Sequence, residues 1–148
     1  MVSLHHYCTF FLDGHYFGVE VLRVQEVVCH QEMTRVPLAP GAVRGLINLR
    51  GQIVPAVDLR RRLDLKNDFD GGQPVNVVIQ TEDGVVSLLV DEIGDVLHVP
   101  ADAFEPPPEN LQRPARDLIR GAYKLENRLL LILEPDRAVD LAADCSTD

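Results

Sequence analysis

Arg44-Gly-Leu-Ile-Asn-Leu-Arg-Gly-Gln-Ile-Val-Pro-Ala-Val-Asp-Leu-Arg-Arg-Arg-Leu63 has a counterpart further along the chain, Arg120-Gly-Ala-Tyr-Lys-Leu-Glu-Asn-Arg-Leu-Leu-Leu-Ile-Leu-Glu-Pro-Asp-Arg-Ala-Val139. Set without a gap, Arg44/Arg120, Gly45/Gly121, Leu49/Leu125 and Arg61/Arg137 coincide. Ile53/Leu129, Val54/Leu130, Val57/Leu133 and Asp58/Glu134 keep their chemistry. An internal repeat decides a fold before any single segment does, because each copy is one supersecondary unit. This one implies two similar small β modules rather than one domain with a single cleft.

The repeat extends upstream. Val21, Val24, Glu26, Val27 and Val28 match Val90, Ile93, Asp95, Val96 and Leu97 at an offset of 69, against 76 for the later block. The second copy therefore carries 7 extra residues, in an interval that holds Pro106, Pro107, Pro108 and Pro114 and reads as a stiff surface loop. Asp13-Gly14 and Asp83-Gly84 stand ahead of the two copies as hairpin turns, since Asp-Gly tolerates the positive φ of a tight β turn.

Strand periodicity is expected over 7–12 and 16–21, breaking near Leu22-Arg23 in a bulge or corner and resuming through Val24, Glu26 and Val28. One helical turn is expected over 40–43, then strands at Leu46–Arg50 and Ile53–Val57 about a turn at Gly51-Gln52. Asp58 is placed to cap a short helix. Residues 66–74 read as a connector, 75–80 and 85–90 as a hairpin, and 93–99 as a bent strand. The strand pair returns at 121–125 and 128–133, followed by a helix over 135–143 and a frayed tail. The expected fold class is all-β, two small five-stranded barrels with short helices, the first module spanning 7–66 and the second 74–141.

The chain of 148 residues can bury a real core, and 46% hydrophobic with 25% charged residues is an ordinary globular composition. No stretch approaches the ~20 apolar residues of a membrane helix. Met1-Val-Ser-Leu-His-His6 has neither the basic nor the apolar region of a secretory signal. Cys8, Cys29 and Cys145, odd in number and widely spaced, suit a reducing cytoplasm. The net charge of −9 repels a nucleic-acid duplex, and 5% aromatic residues supply little base stacking. A small-barrel nucleic-acid binder is therefore the disfavoured alternative. The basic run Arg60-Arg61-Arg62 reads as a solvated helix face.

Three blocks carry a resemblance over about Tyr7 to Leu141. They are Val24-Gln-Glu-Val27 with Pro37 and Pro40, Gly45-Leu-Ile-Asn-Leu-Arg-Gly-Gln-Ile-Val-Pro-Ala-Val-Asp-Leu59, and Val90-Asp-Glu-Ile-Gly-Asp-Val96 with Ile119-Arg-Gly121. These resemble the signature of the bacterial chemotaxis coupling family, CheW. The resemblance implies a single CheW-like domain over 1–148 in which two SH3-like or OB-like barrels exchange strands. It implies a non-catalytic cytoplasmic adaptor that joins a chemoreceptor's cytoplasmic tip to the regulatory domain of a CheA-type histidine kinase. Recruitment to membrane-associated receptor arrays follows, with no membrane insertion of its own. An adaptor of pilus motility or of another receptor–kinase pathway is the alternative within the family.

By this resemblance the receptor groove is bordered by Val24, Glu26, Gly45, Asn48, Arg50 and Gly121. A kinase face is assigned to Val43, Arg44 and Leu46, with barrel edges, including the second module's hairpin, as pairing surfaces. Period-2 counting puts Leu46, Asn48 and Arg50 opposite Ile47 and Leu49, and Val24 with Glu26 opposite Gln25 and Val27. Glu26 and Arg50 are expected to pair and still leave guanidinium donors for a partner. Gly45 and Gly121 could admit a partner helix closely.

No enzyme pattern stands beside this. A phosphate-cradling glycine loop with Lys, a Cys-x-x-Cys and a His-Glu-x-x-His are all missing. His5 and His6 alternate on one strand and point to opposite faces, a poor chelating geometry. His15, His30 and His98 are scattered, Cys29-His30 lacks a third group, and Asp91-Glu92 reads as a solvated pair. No cofactor, metal or catalytic site is expected.

Overall fold

The structure is a computed structural model that describes residues 3–29, 31–37, 42–65 and 74–139. The strands in chain order are β1 (Leu4–Leu12), β2 (His15–Glu20), β3 (Val24–Val28), β4 (Val43–Leu49) and β5 (Gln52–Asp58). They continue as β6 (Val75–Thr81), β7 (Gly84–Val90), β8 (Glu92–Pro100), β9 (Ile119–Lys124) and β10 (Leu129–Leu133). Three single-turn helices follow strands or precede them: α1 (Leu59–Arg62), α2 (Ala115–Leu118) and α3 (Pro135–Ala138).

The fold is all-β, in two five-stranded sheets. The first has the order β8-β1-β2-β10-β9 and the second β3-β6-β7-β5-β4. Replacing each strand by its repeat counterpart (β1 by β6, β2 by β7, β3 by β8, β4 by β9, β5 by β10) turns one order into the other. Each hairpin thus sits among the strands of the other repeat, and each sheet contains a parallel pair, β2 with β10 and β7 with β5. The sheets curl but are not closed barrels, because β8 does not pair with β9, nor β3 with β4. Instead one bridge lies on an edge strand of each sheet, Thr34 on Leu46 and Glu105 on Ala122.

Alternation along the strands makes three cores. Phe10, Leu12, Phe17, Val57, Val77, Ile79 and Leu88 fill the space between the sheets. Tyr7, Tyr16, Tyr123, Leu130 and Ile132 line the inside of the first sheet. Ile47, Leu49, Val54, Ala56, Val78 and Leu89 line the inside of the second. With no flat face left to water on the central strands, the hydrophobic gain holds the exchanged hairpins in place.

Charged groups tie the hairpin turns to the junctions between sheets. Asp91 accepts from the Asp13 amide at 2.8 Å and from Arg60 Nε at 2.9 Å. At the repeat-related junction Asp136 accepts from the Glu82 amide at 3.0 Å and from Arg23 at 2.6 Å. The same tie is built twice with the acid and base on opposite partners. Those hydrogen bonds, the turn amide's first, lower the pKa of Asp136.

Several expectations are corrected here. Arg60-Arg61-Arg62 is not a solvated face, since Arg60 and Arg62 are buried and only Arg61 is exposed. Arg62 donates to the Ala138 and Arg137 carbonyls at 3.1 and 2.9 Å, capping the end of α3 from a distance in sequence. The second module's hairpin, β6–β7, lies inside its sheet and offers no edge. The break after β2 is a 3-10 turn at Val21–Arg23. The helix after 135 ends at Ala138, with Val139 already its C-cap, and residues 140–143 of that expectation lie outside the described residues. So do Pro40, His30, Cys145, residues 66–73 and the first half of the turn expected at 40–43; Val43 already belongs to β4.

Candidate functional site

At one end of the second sheet the β4–β5 turn meets edge strand β3. The turn is Arg50-Gly51, one residue earlier than expected, with φ of 52° and 87°. Two consecutive left-handed residues make a tight hairpin whose twist matches the strands. Arg50 is the unusual member, because a side chain at positive φ is strained by roughly 1 kcal/mol. Asn48 offsets this, its Oδ1 accepting from the Gly51 amide at 2.8 Å. Arg50 is therefore aimed by a turn rather than by strand alternation.

So aimed, its guanidinium donates to Glu26 Oε2 on β3. The Arg50 side chain stays 72% exposed while that of Glu26 is 22% exposed. The other carboxylate oxygen, Glu26 Oε1, is buried with no hydrogen-bond partner among the described residues. The hydrogen bond to Glu26, then its charge, raises the Arg50 pKa. The exposed guanidinium, held in place by Glu26, keeps further donors for an acceptor on a partner, while the buried Glu26 Oε1 is out of a partner's reach.

The expected groove residues do not all gather there. A β-bulge between Val24 and Glu26 puts Val24 opposite Ile79 and Glu26 opposite Val78, residues of different cores. Val24 and Glu26 therefore lie on opposite faces, not on one, since a bulge shifts alternation by one residue. Gly45 is buried, and a Cβ there would stand 2.7 Å from the Thr34 carbonyl oxygen. Gly121 belongs to the first sheet, where a Cβ would stand 2.2 Å from Phe104 Cζ and 2.5 Å from the Glu105 oxygen. The close neighbour that both glycines admit is the chain itself.

Of the residues assigned to the kinase, Val43 is half-buried opposite Val57. Arg44 pairs with the fully buried Asp58 at 3.3 Å. Leu46 gives both its amide and its carbonyl to Thr34, at 2.8 and 2.9 Å, so the β4 edge is covered at that point.

Ile53 was not singled out from the sequence. It lies directly opposite Asn48 across β4–β5 and is 58% exposed. Parity across the two-residue turn was the available signal, and it places an apolar side chain beside the polar ones. The repeat does not duplicate this site: the counterparts of Glu26 and Arg50 are Asp95 and Glu126, two carboxylates. At that end Arg128 lies 5.4 and 4.9 Å from the Phe11 and Tyr16 ring centres instead. Among the described residues no group of three or more His, Cys, Asp or Glu could hold a metal. No helix there is long and apolar enough to cross a membrane.

Residues 6–143 match the family model described as CheW-like domain. The chemotaxis protein CheW of Bacillus subtilis is 34% identical over 131 residues, 88% of this chain and 84% of that protein. Protein PilI of Pseudomonas aeruginosa is 27% identical over 122 residues, 82% and 68% of the two chains. Among solved structures, the scaffolding protein TtCheW of Thermoanaerobacter tengcongensis superimposes with a TM-score of 0.84, covering 95% of this chain and 94% of that one. At 24% identity that likeness is one of fold.

Proposed function

We propose, since the chain belongs to the CheW-like family, that it couples chemoreceptors to a CheA-type histidine kinase as a cytoplasmic adaptor. It is a scaffold-family protein and not an enzyme. The receptor's cytoplasmic tip docks at the end of the second sheet, against Glu26, Asn48, Arg50 and Ile53. The kinase's regulatory domain takes an edge-strand surface that includes Val43 and Arg44. Val24, Gly45 and Gly121 act behind these surfaces by holding the bulge and the two bridged segments in place. The whole of 1–148 works as one domain, with 7–66 and 74–141 as its repeated modules.

The observation that carries this reading is the Glu26–Arg50 pair, with its cation exposed and its carboxylate half-buried behind it, at the position the family signature marks. Signal passes as a difference in interface free energy between receptor states, and an array strengthens modest single contacts through multivalency. Arg50→Glu is expected to weaken receptor binding in co-sedimentation at least about tenfold, as truncating one partner of a charge pair does. Circular dichroism should still show the folded protein with a modestly lower thermal midpoint, because Arg50 is exposed but its loss leaves the half-buried Glu26 unpaired. A folded Arg50→Glu protein that binds receptor and kinase at full affinity removes Arg50 from the site.

Similarity to a pilus protein keeps a second pathway in view within the same adaptor class. Co-purification of the receptor and kinase from cells separates flagellar from pilus signalling.

A further inference from the structure

His6 and His98 stand 92 residues apart in the chain. The β1–β8 register sets them directly opposite each other. Their rings lie 4.4 Å apart between centres at an interplanar angle of 83°. The two Nδ1 atoms face one another in hydrogen-bond contact. Both side chains are exposed, and β8 is an edge strand, so the outer side of the pair is open to water. His5, on the opposite parity, is engaged elsewhere, with its Nδ1 3.2 Å from the Tyr123 hydroxyl.

We infer that His6 and His98 form a two-imidazole site for a borderline transition-metal dication such as zinc or nickel, with water completing the coordination. Neutral imidazole suits these ions, whereas magnesium and calcium require oxygen ligands. With metal–nitrogen bonds of about 2.0–2.1 Å, two donors on one ion stand about 3 Å apart, a spacing that side-chain rotation at two directly opposed strand positions supplies. The strand pairing already fixes both Cα atoms, so chelation orders little beyond two side-chain torsions. Two donors are fewer than a buried structural site uses, and the site is accordingly an exchangeable surface one. A bound ion would clip edge strand β8 to β1, since a ligand that binds only the folded state stabilises it.

Zinc chloride titrated into the metal-free full chain by calorimetry tests this. One saturable site per chain is expected, weakened at least about tenfold in His6→Ala and in His98→Ala, because the second imidazole acts as an intramolecular ligand. His15→Ala should bind as wild type does, and magnesium chloride should give no saturable heat. In wild type, proton NMR should show zinc moving the ring resonances of His6 and His98 together, a readout independent of any variant's folding. Absence of saturable zinc binding, or binding that survives both His6→Ala and His98→Ala, overturns the inference. So does a zinc titration that moves other histidine rings and leaves these two unchanged.

Discussion

Asp58→Ala is expected to lower the free energy of unfolding in urea by about 3 kcal/mol. Asp58 is fully buried, and its Oδ1 accepts from the Arg60 and Arg61 amides at 3.0 and 3.4 Å. Its Oδ2 lies 3.3 Å from Arg44. Losing a cap costs about 1 kcal/mol, and each buried donor stranded without a partner adds roughly 1–3. For a chain of 148 residues the thermal midpoint should fall by roughly 6–12 °C. Asp58→Asn, which keeps an acceptor for the helix amides, should lose less than half as much. The repeat counterpart is the internal control. Glu134 gives α3 no side-chain cap and meets Arg120 at 3.4 Å with 24% of its side chain exposed. Glu134→Ala should cost under about 1 kcal/mol. If the two alanine variants lose equal stability, the assignment of a buried cap to Asp58 alone is wrong.

Gly45→Ala and Gly121→Ala form the second pair, each expected to cost about 2 kcal/mol by overpacking. At position 45 the obstacle is the Thr34 carbonyl, which accepts from Leu46 at 2.8 Å and cannot retreat without breaking that bond. At position 121 the Phe104 ring can swing aside, but the Glu105 carbonyl is held by the Ala122 amide at 2.9 Å. Hydrogen exchange should therefore quicken at the Leu46 and Ala122 amides ahead of the strand centres. Unchanged stability, with lost receptor binding, would restore the reading in which the glycines make room for a partner helix.

Much of the fold was legible because the repeat and the period-2 patterns are local. The buried state of Ile47 and Leu49 and the Asp58 cap follow directly from residue order. Errors fell where one residue of slippage changes everything after it. The bulge at Val24–Glu26 reversed a face, and the Arg50-Gly51 turn moved Arg50 off its strand. Neither has a local signal strong enough to read, since bulge placement answers to the partner strand. The pairing of Glu26 with Arg50, by contrast, was legible from opposite charge and the family motif, and the structure has it.

By itself the sequence determined that there are two related β units, strand-rich, acidic and carrying the CheW signature, because repeats, composition and motifs are properties of residue order. Only the tertiary structure decided which hairpin joins which sheet, where Arg60 and Arg62 are buried, what fills the space beside Gly45 and Gly121, and that His6 faces His98. Those facts depend on contacts between segments far apart in the chain. Their register is set by three cores packing at once, and no window of neighbouring residues contains that condition.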